Sequence, residues 1–296
     1  MKLAAREATD RWIKVLFRVT GLLVIAILAG IFIMLLWNTV AFFWKVKPVD
    51  FITGTQWNPA GKQARYGILP LLVSTALVTF GAMAIAIPLG IGAAAFMSEY
   101  AGKRIRNILK PMIEMLAAIP SVAIGFLGIV IVGPEIASLA HQSNGLNALN
   151  GAILLSIMAL PTIITVTDDA LQALPQTYRE ASYGVGASRW QTLRKVVIPA
   201  AAPGIIAAVM LGVGRAIGET MTVLMATGNA SAFPKGFFHS VRTITATIAI
   251  EMGEVPYQTT HYYALFAIAA VLFLVTLLVN LVGEYFVNRY RKYQAA

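Results

Sequence analysis

Two ionisable residues stand where the surrounding sequence is otherwise apolar: Arg215 and Glu219, near the middle of PGIIAAVMLGVGRAIGETMTVLMATG. A guanidinium presents paired donors at the spacing of two oxyanion oxygens. A carboxylate only accepts, so it repels a fully ionised anion but takes a hydrogen bond from one that retains an O–H. Together they would favour a partly protonated oxyanion. An arginine near the centre of a bilayer costs about 2.5–3.5 kcal/mol on insertion scales, so it faces a cavity or a partner rather than lipid. One helical turn apart, the two are expected to share a face, with Arg first, the weaker order for a helix-stabilising bridge. The alternative, a buried Arg–Glu pair that only fixes helix packing, stays open at this level.

The same run carries a second pattern. Gly204, Ala208, Gly212, Ala216 and Thr220 recur every four residues and form a small-residue seam of the kind that lets membrane helices approach closely. Arg215 and Glu219 each precede a seam residue, which puts them at the edge of a helix contact.

Composition supplies the bilayer these residues need. The 296-residue chain is 58% hydrophobic and 12% charged, far from the soluble average. Apolar runs between breakers predict six transmembrane helices near 17–44, 68–97, 110–132, 151–172, 203–227 and 262–288, an all-α integral membrane protein. The first run is too long for a signal peptide and is expected to remain as the first span. With no cysteine, disulfides, thiolate nucleophiles and thiolate metal sites are excluded.

The net charge of +10 is explained by topology. Alternate loops collect Lys2 to Arg18, Lys103 to Lys110, Arg179 to Lys195 and Arg289 to Lys292, 16 cations in all, whereas the other side holds six. By the positive-inside rule both termini are cytoplasmic. This divides the chain into a cytoplasmic segment 1–16, a six-span domain 17–288 and a cytoplasmic tail 289–296 in the cell (inner) membrane. No basic stripe interleaves with aromatics, so nucleic acid is not an expected partner.

Between spans four and five lies the cytoplasmic loop 175–199, LPQTYREASYGVGASRWQTLRKVVIPAAAPG with its flanks. It reads as two short helices. Pro175 suits a first turn, Gly184 and Gly186 permit positive φ, Ser188 with Gln191 forms a capping box, and Pro199 limits the second helix. Glu180, Ala181, Ser182, Gly186, Val196, Ile198 and Pro199 resemble, in order, the loop motif of ABC-importer permeases, which commonly has Ile, Leu and Pro at the last three; Ser188 lies within the coupling segment they bound. That resemblance implies a type I permease whose coupling helices dock on a separate ATPase. The chain has no phosphate-cradling G-x-x-x-x-G-K-[ST] loop, so it is not the ATPase and is not expected to be an enzyme.

GTQWNP with YGILPLLVSTALVT, EMLAAIPSVAIGFLG, REASYGVGASRWQTLRKVVIP and GRAIGETMTV together resemble the high-affinity phosphate importer permeases, especially the PstC type. The resemblance implies import of inorganic phosphate, with Arg215 and Glu219 on the substrate pathway. It also implies a second, related permease (a heterodimer), two ATPase subunits that hold the ATP and Mg, and an extracytoplasmic phosphate-binding protein. This chain itself would bind no cofactor. Another oxyanion, such as sulfate or molybdate, is the alternative substrate. A secondary transporter or an intramembrane enzyme would need related halves with broken helices or a nucleophile–base set, and neither is evident.

The remaining candidates carry ordinary roles. Pro88, Pro120 and Pro161 fall inside predicted spans and should kink them. Glu99, Glu114 and the pair Asp168–Asp169 lie near cytoplasmic span ends, where solvation or salt bridges to Lys103, Arg104 and Lys110 are expected, with no substrate role. His141, His239 and His261 are isolated in predicted outward loops without ligand spacing, so no metal site is expected. Trp12, Trp37, Trp44, Trp57 and Trp190 suit an aromatic belt. Loops 45–67 and 228–261 face outward, and the second should carry a short helix in or against the membrane surface.

Overall fold

The computed structural model describes residues 2–295, with side chains described for residues 12–290. The outermost parts of segments 1–16 and 289–296 therefore lie outside the described side chains.

Helices dominate. α1 (Lys2–Phe43) is followed by the short α2 (Pro48–Thr53) and a hairpin of β1 (Trp57–Asn58) and β2 (Arg65–Tyr66). Then come α3 (Leu69–Glu99), α4 (Lys103–Ala117), α5 (Ser121–Leu127), α6 (Gly133–Leu139) and α7 (Ala148–Gln172). α8 (Thr177–Gly184), α9 (Arg189–Thr192) and α10 (Ile198–Ala200) make the loop before α11 (Ala202–Gly218), and α12 (Met221–Ala226), α13 (Ile244–Glu251) and α14 (Thr260–Ala295) complete the chain. Five helical stretches are long and apolar enough to cross a membrane, and six if Arg189–Ala200 and Ala202–Gly218, bent by 71°, form one span. The apolar side chains left exposed on them, such as Phe80, Leu211 and Leu274, fit a chain whose solvent is lipid or a neighbouring subunit.

Two predicted spans are corrected. The run 110–132 is two elements: the helix stops at Ala117, Pro120 is the N-cap of α5, and the spanning stretch is Ser121–Leu139. Proline has no N–H to give to the preceding turn and disfavours helical backbone just before it, so the chain breaks there rather than kinks. α4 is amphipathic, with Arg106 and Lys110 turned to α7 and Ile105, Ile108 and Met112 exposed. The run 203–227 is also broken, between Gly218 and Met221. Pro88 and Pro161, by contrast, stay inside continuous helices.

π-turns at Gly128–Val132 and Leu193–Val197 each end two residues before a proline, Pro134 and Pro199. A proline leaves the carbonyl four residues earlier without its helical donor, and a wider turn is one way to absorb that. The buried Asn150 on α7 donates to the Gly128 carbonyl at 2.9 Å.

The core is the packing of α3, α7 and α11. Ile163 of α7 is fully buried between glycines of both neighbours: a Cβ on Gly90 would stand 2.7 Å from its Cγ2, and one on Gly212 would stand 2.8 Å from its Cγ1. A Cβ on Gly204 would clash with the Cβ of Ala170. Gly204, Ala208, Gly212 and Ala216 thus lie along the α11–α7 contact. Thr220 does not, because the helix has ended at Gly218.

α13 departs from its expected place. Ile244 to Thr247 are buried, and Val241 and Ala246 join the α3–α7 core, so the segment is inserted into the bundle rather than laid on a membrane surface.

Candidate functional site

The break between α11 and α12 organises the site. Glu219 is extended, with φ −67° and ψ 134°, so its carbonyl leaves the helical ladder and accepts from Thr245 Oγ1 at 2.7 Å. Its carboxylate turns back to accept the backbone N–H of Thr222 at 3.2 Å, which caps the start of α12. Thr222 Oγ1 in turn donates to the carbonyl of Ser121, the first residue of α5, at 3.1 Å. The freed polar groups of two broken helices are thereby satisfied within the protein, as non-helical backbone at membrane depth requires.

Arg215 lies in the last turn of α11 with its side chain exposed, next to the buried Ala216. Its Nη1 donates to Thr162 Oγ1 of α7 at 3.3 Å. No ion pair joins Arg215 to Glu219 among the described residues. The expectation of one shared helical face is therefore corrected, since the backbone turns at Glu219. A buried Arg–Glu pair is also not what forms. An unneutralised guanidinium at the edge of a helix contact, beside a carboxylate fixed by a backbone amide, can receive an oxyanion.

The loop 175–199 forms the expected helix–turn–helix. Gly186 takes φ +84°, and Ser188 and Gln191 make a reciprocal capping box. Gly184 is instead the last residue of α8, and Pro199 lies within α10, the turning point being Ala201. Glu180, Ala181 and Gly186 are exposed on the outer side, whereas Ser182 is buried and shares a 2.9 Å hydrogen bond with Thr192 Oγ1 that ties α8 to α9. Val196 and Ile198 are half-buried and Pro199 exposed, while Leu193 and Val197 pack with Leu171 and Met97.

Residues 86–292 match the family described as binding-protein-dependent transport system inner membrane component. The chain belongs to this family. It is 40% identical over 244 residues to the probable ABC transporter permease protein YqgH of Bacillus subtilis, covering 82% of this chain and 79% of the relative. It is 33% identical over 303 residues to the phosphate transport system permease protein PstC of Mesorhizobium japonicum, covering 95% and 90%. The fold agrees with solved permeases. The inward-facing MetNI methionine ABC transporter matches with a TM-score of 0.57 at 19% identity, covering 76% of this chain and 94% of that one. A bacterial alginate ABC transporter matches with 0.58 at 15%, covering 90% and 94%. The chain is thus an all-α, multi-pass permease of an ABC importer, a class that works with ATPase subunits, a second permease and a binding protein.

Several residues of this permease escape sequence reasoning. Glu99 pairs not with the nearby lysines but with Arg179, at 2.7 Å. Asp168 pairs with Arg106 at 2.9 Å, a partner not expected, whereas Asp169 meets the expected Lys110 at 2.8 Å. That contact holds Lys110 above the usual lysine range, chiefly through its hydrogen bond to Asp169. At the opposite end of α3, Glu251 accepts from Trp57 Nε1 at 3.1 Å, pairs with Arg242 at 3.0 Å and meets His261 Nε2 at 2.8 Å. His261 is therefore not isolated, and Trp57 is a core residue rather than part of a belt; Trp12, Trp37, Trp44 and Trp190 remain exposed. No cluster of three metal-ligating side chains occurs among the described residues.

Proposed function

We propose that this chain is the permease subunit of an ATP-driven importer of inorganic phosphate, with Arg215 as the anion-contacting residue and Glu219 as the carboxylate that discriminates. The carrying observation is the exposed, unneutralised guanidinium of Arg215 at the α11–α7 edge, one residue-turn from the break at Glu219. Relatives named phosphate transport system permease protein support the substrate. Phosphate keeps at least one O–H near neutrality, which Glu219 can accept, whereas sulfate has none and is repelled.

The remaining assignments follow the loop charges and the class. Both termini face the cytoplasm, as does the loop 175–199 with its coupling residues Glu180, Ala181, Ser182, Gly186, Ser188, Val196, Ile198 and Pro199. A second, related permease completes a heterodimer, a phosphate-binding protein delivers substrate from outside, and two ATPase subunits hold ATP and Mg. Closure of the ATPase pair moves the loop, and the bend at Ala201 carries that motion into α11, whose far end holds Arg215. Tight capture belongs to the soluble receptor; the permease has to release its ion inward, which one arginine beside a carboxylate allows.

In vesicles holding the assembled transporter, Arg215→Gln is expected to abolish phosphate uptake, and Glu219→Gln to let sulfate compete. Normal uptake by Arg215→Gln would reduce that residue to packing. Unchanged selectivity in Glu219→Gln would remove its discriminating role, and uptake of sulfate or molybdate by the wild type would reassign the substrate.

A further inference from the structure

The proposed function, on which this inference rests, requires that motion at the loop 175–199 reach Arg215. One route is covalent, through α10 and the 71° bend into α11. A second runs through a side chain. Arg179, on α8, points back into the bundle: Nε donates to Glu99 Oε1 at 2.8 Å and Nη2 to the carbonyl of Leu171 at 2.9 Å. Glu99 is the last residue of α3, and Leu171 lies in the last turn of α7. The two side chains are 10% and 7% exposed, so the pair is buried although it lies at a span end. Glu180, the next residue, is exposed. Adjacent residues of α8 thus serve opposite sides, one outward to a partner and one inward to two helices.

The chemistry is that of a rigid joint. A planar guanidinium that fills acceptors on two elements at once fixes direction as well as distance, which an ammonium does not. Because the pair is buried, removing one member leaves an uncompensated charge and is far costlier than losing a surface bridge. Without it, α8 keeps the chain connection 173–176 and, through α9, the apolar packing of Leu193 and Val197 on Leu171, neither of which fixes its direction. A polar cleft of about 570 Å³, lined by Gln172, Tyr183 and Arg189 among others, lies beside the joint and gives α8 room to swing.

We infer that Arg179 and Glu99 form a positioning latch that makes α8 move as one body with α3 and α7. α8 is also bound to α9 by Ser182 and Thr192, and the loop's Leu193 and Val197 pack on Leu171 and Met97; the latch adds to that apolar contact the directional tie that fixes α8 itself. α7 carries Thr162, the hydroxyl that meets Arg215. The latch therefore moves both sides of the Arg215 contact together.

Two readouts test it. In vesicles with the full assembly, Glu99→Gln and Arg179→Gln are expected to keep ATP hydrolysis while phosphate taken up per ATP falls about fivefold, in the range of mutations along coupling networks. Arg179→Lys should recover part of the ratio. Hydrolysis and uptake falling in equal proportion would make the pair mere local packing and overturn the latch. The second readout does not depend on substrate. Since the chain has no native cysteine, spin labels can be placed at Phe96 on α3 and Tyr178 on α8, both exposed. The label distance should be sharply distributed in the otherwise unmodified assembly and broaden in Glu99→Gln; an unaltered distribution would overturn the latch even if the transported ion were not phosphate.

Discussion

At the scale of single residues, the chemistry of this permease is set by which charges are neutralised and which are not. Glu99, Asp168, Asp169 and Glu251 all have cationic or imidazole partners, whereas among the described residues Arg215 has only a hydroxyl. Arg215 and Glu219 stand out in the sequence because charge is expensive in an apolar run. Arg179 does not, because it sits in a basic loop and its partner is 80 residues away. Lys110 offers a test by pH. Its pKa is raised by Asp169, so the stabilisation is complete below the ordinary lysine value and is lost as pH rises through the higher folded value. Amide protection of α4, corrected for intrinsic exchange, should therefore hold up to about pH 10 and decline above it. A decline already near pH 8 would show that Lys110 does not anchor α4.

At the scale of elements, the small-residue seam was legible and the breaks were not. Four-residue spacing of Gly and Ala has one physical use in a membrane helix, and the α11–α7 contact uses it through Ala216. The end of α11 at Gly218 has no proline to announce it; it is stabilised by Thr245, from a segment distant in sequence, and by Glu219 folding back on Thr222. Pro120 was visible, but hydropathy alone cannot separate an amphipathic α4 from the span that follows. Hydropathy likewise places α13 in or against the membrane surface, because its burial depends on the α3–α7 core around it. The seam predicts a stability effect. Gly212→Val must displace the β-branched Ile163, which has little rotamer freedom, and should cost about 1–3 kcal/mol. Thermal unfolding in detergent should show a lowered midpoint; a wild-type midpoint would mean that α11 and α7 separate without cost.

At the scale of the whole molecule, α3 spans roughly 45 Å at 1.5 Å per residue and links two polar clusters at its ends. One is the latch at Glu99; the other is Glu251 with Arg242, His261 and Trp57, which joins the hairpin, α13 and α14. The site at Arg215 lies between them. This layout gives an ATP-driven machine a stiff member from end to end, with the broken helices α4–α5 and α11–α12 as the parts that can give. The class, and the number of spans to within the one broken pair, were legible because hydropathy and loop charge are summed over many residues, whereas the breaks and the order of contacts needed the fold. Phosphate import is tested most directly by uptake of labelled phosphate into vesicles holding this chain with its second permease, ATPase and binding-protein partners. Uptake that requires ATP and is unaffected by excess sulfate is the predicted result; uptake without ATP, or blocked by sulfate, would contradict it.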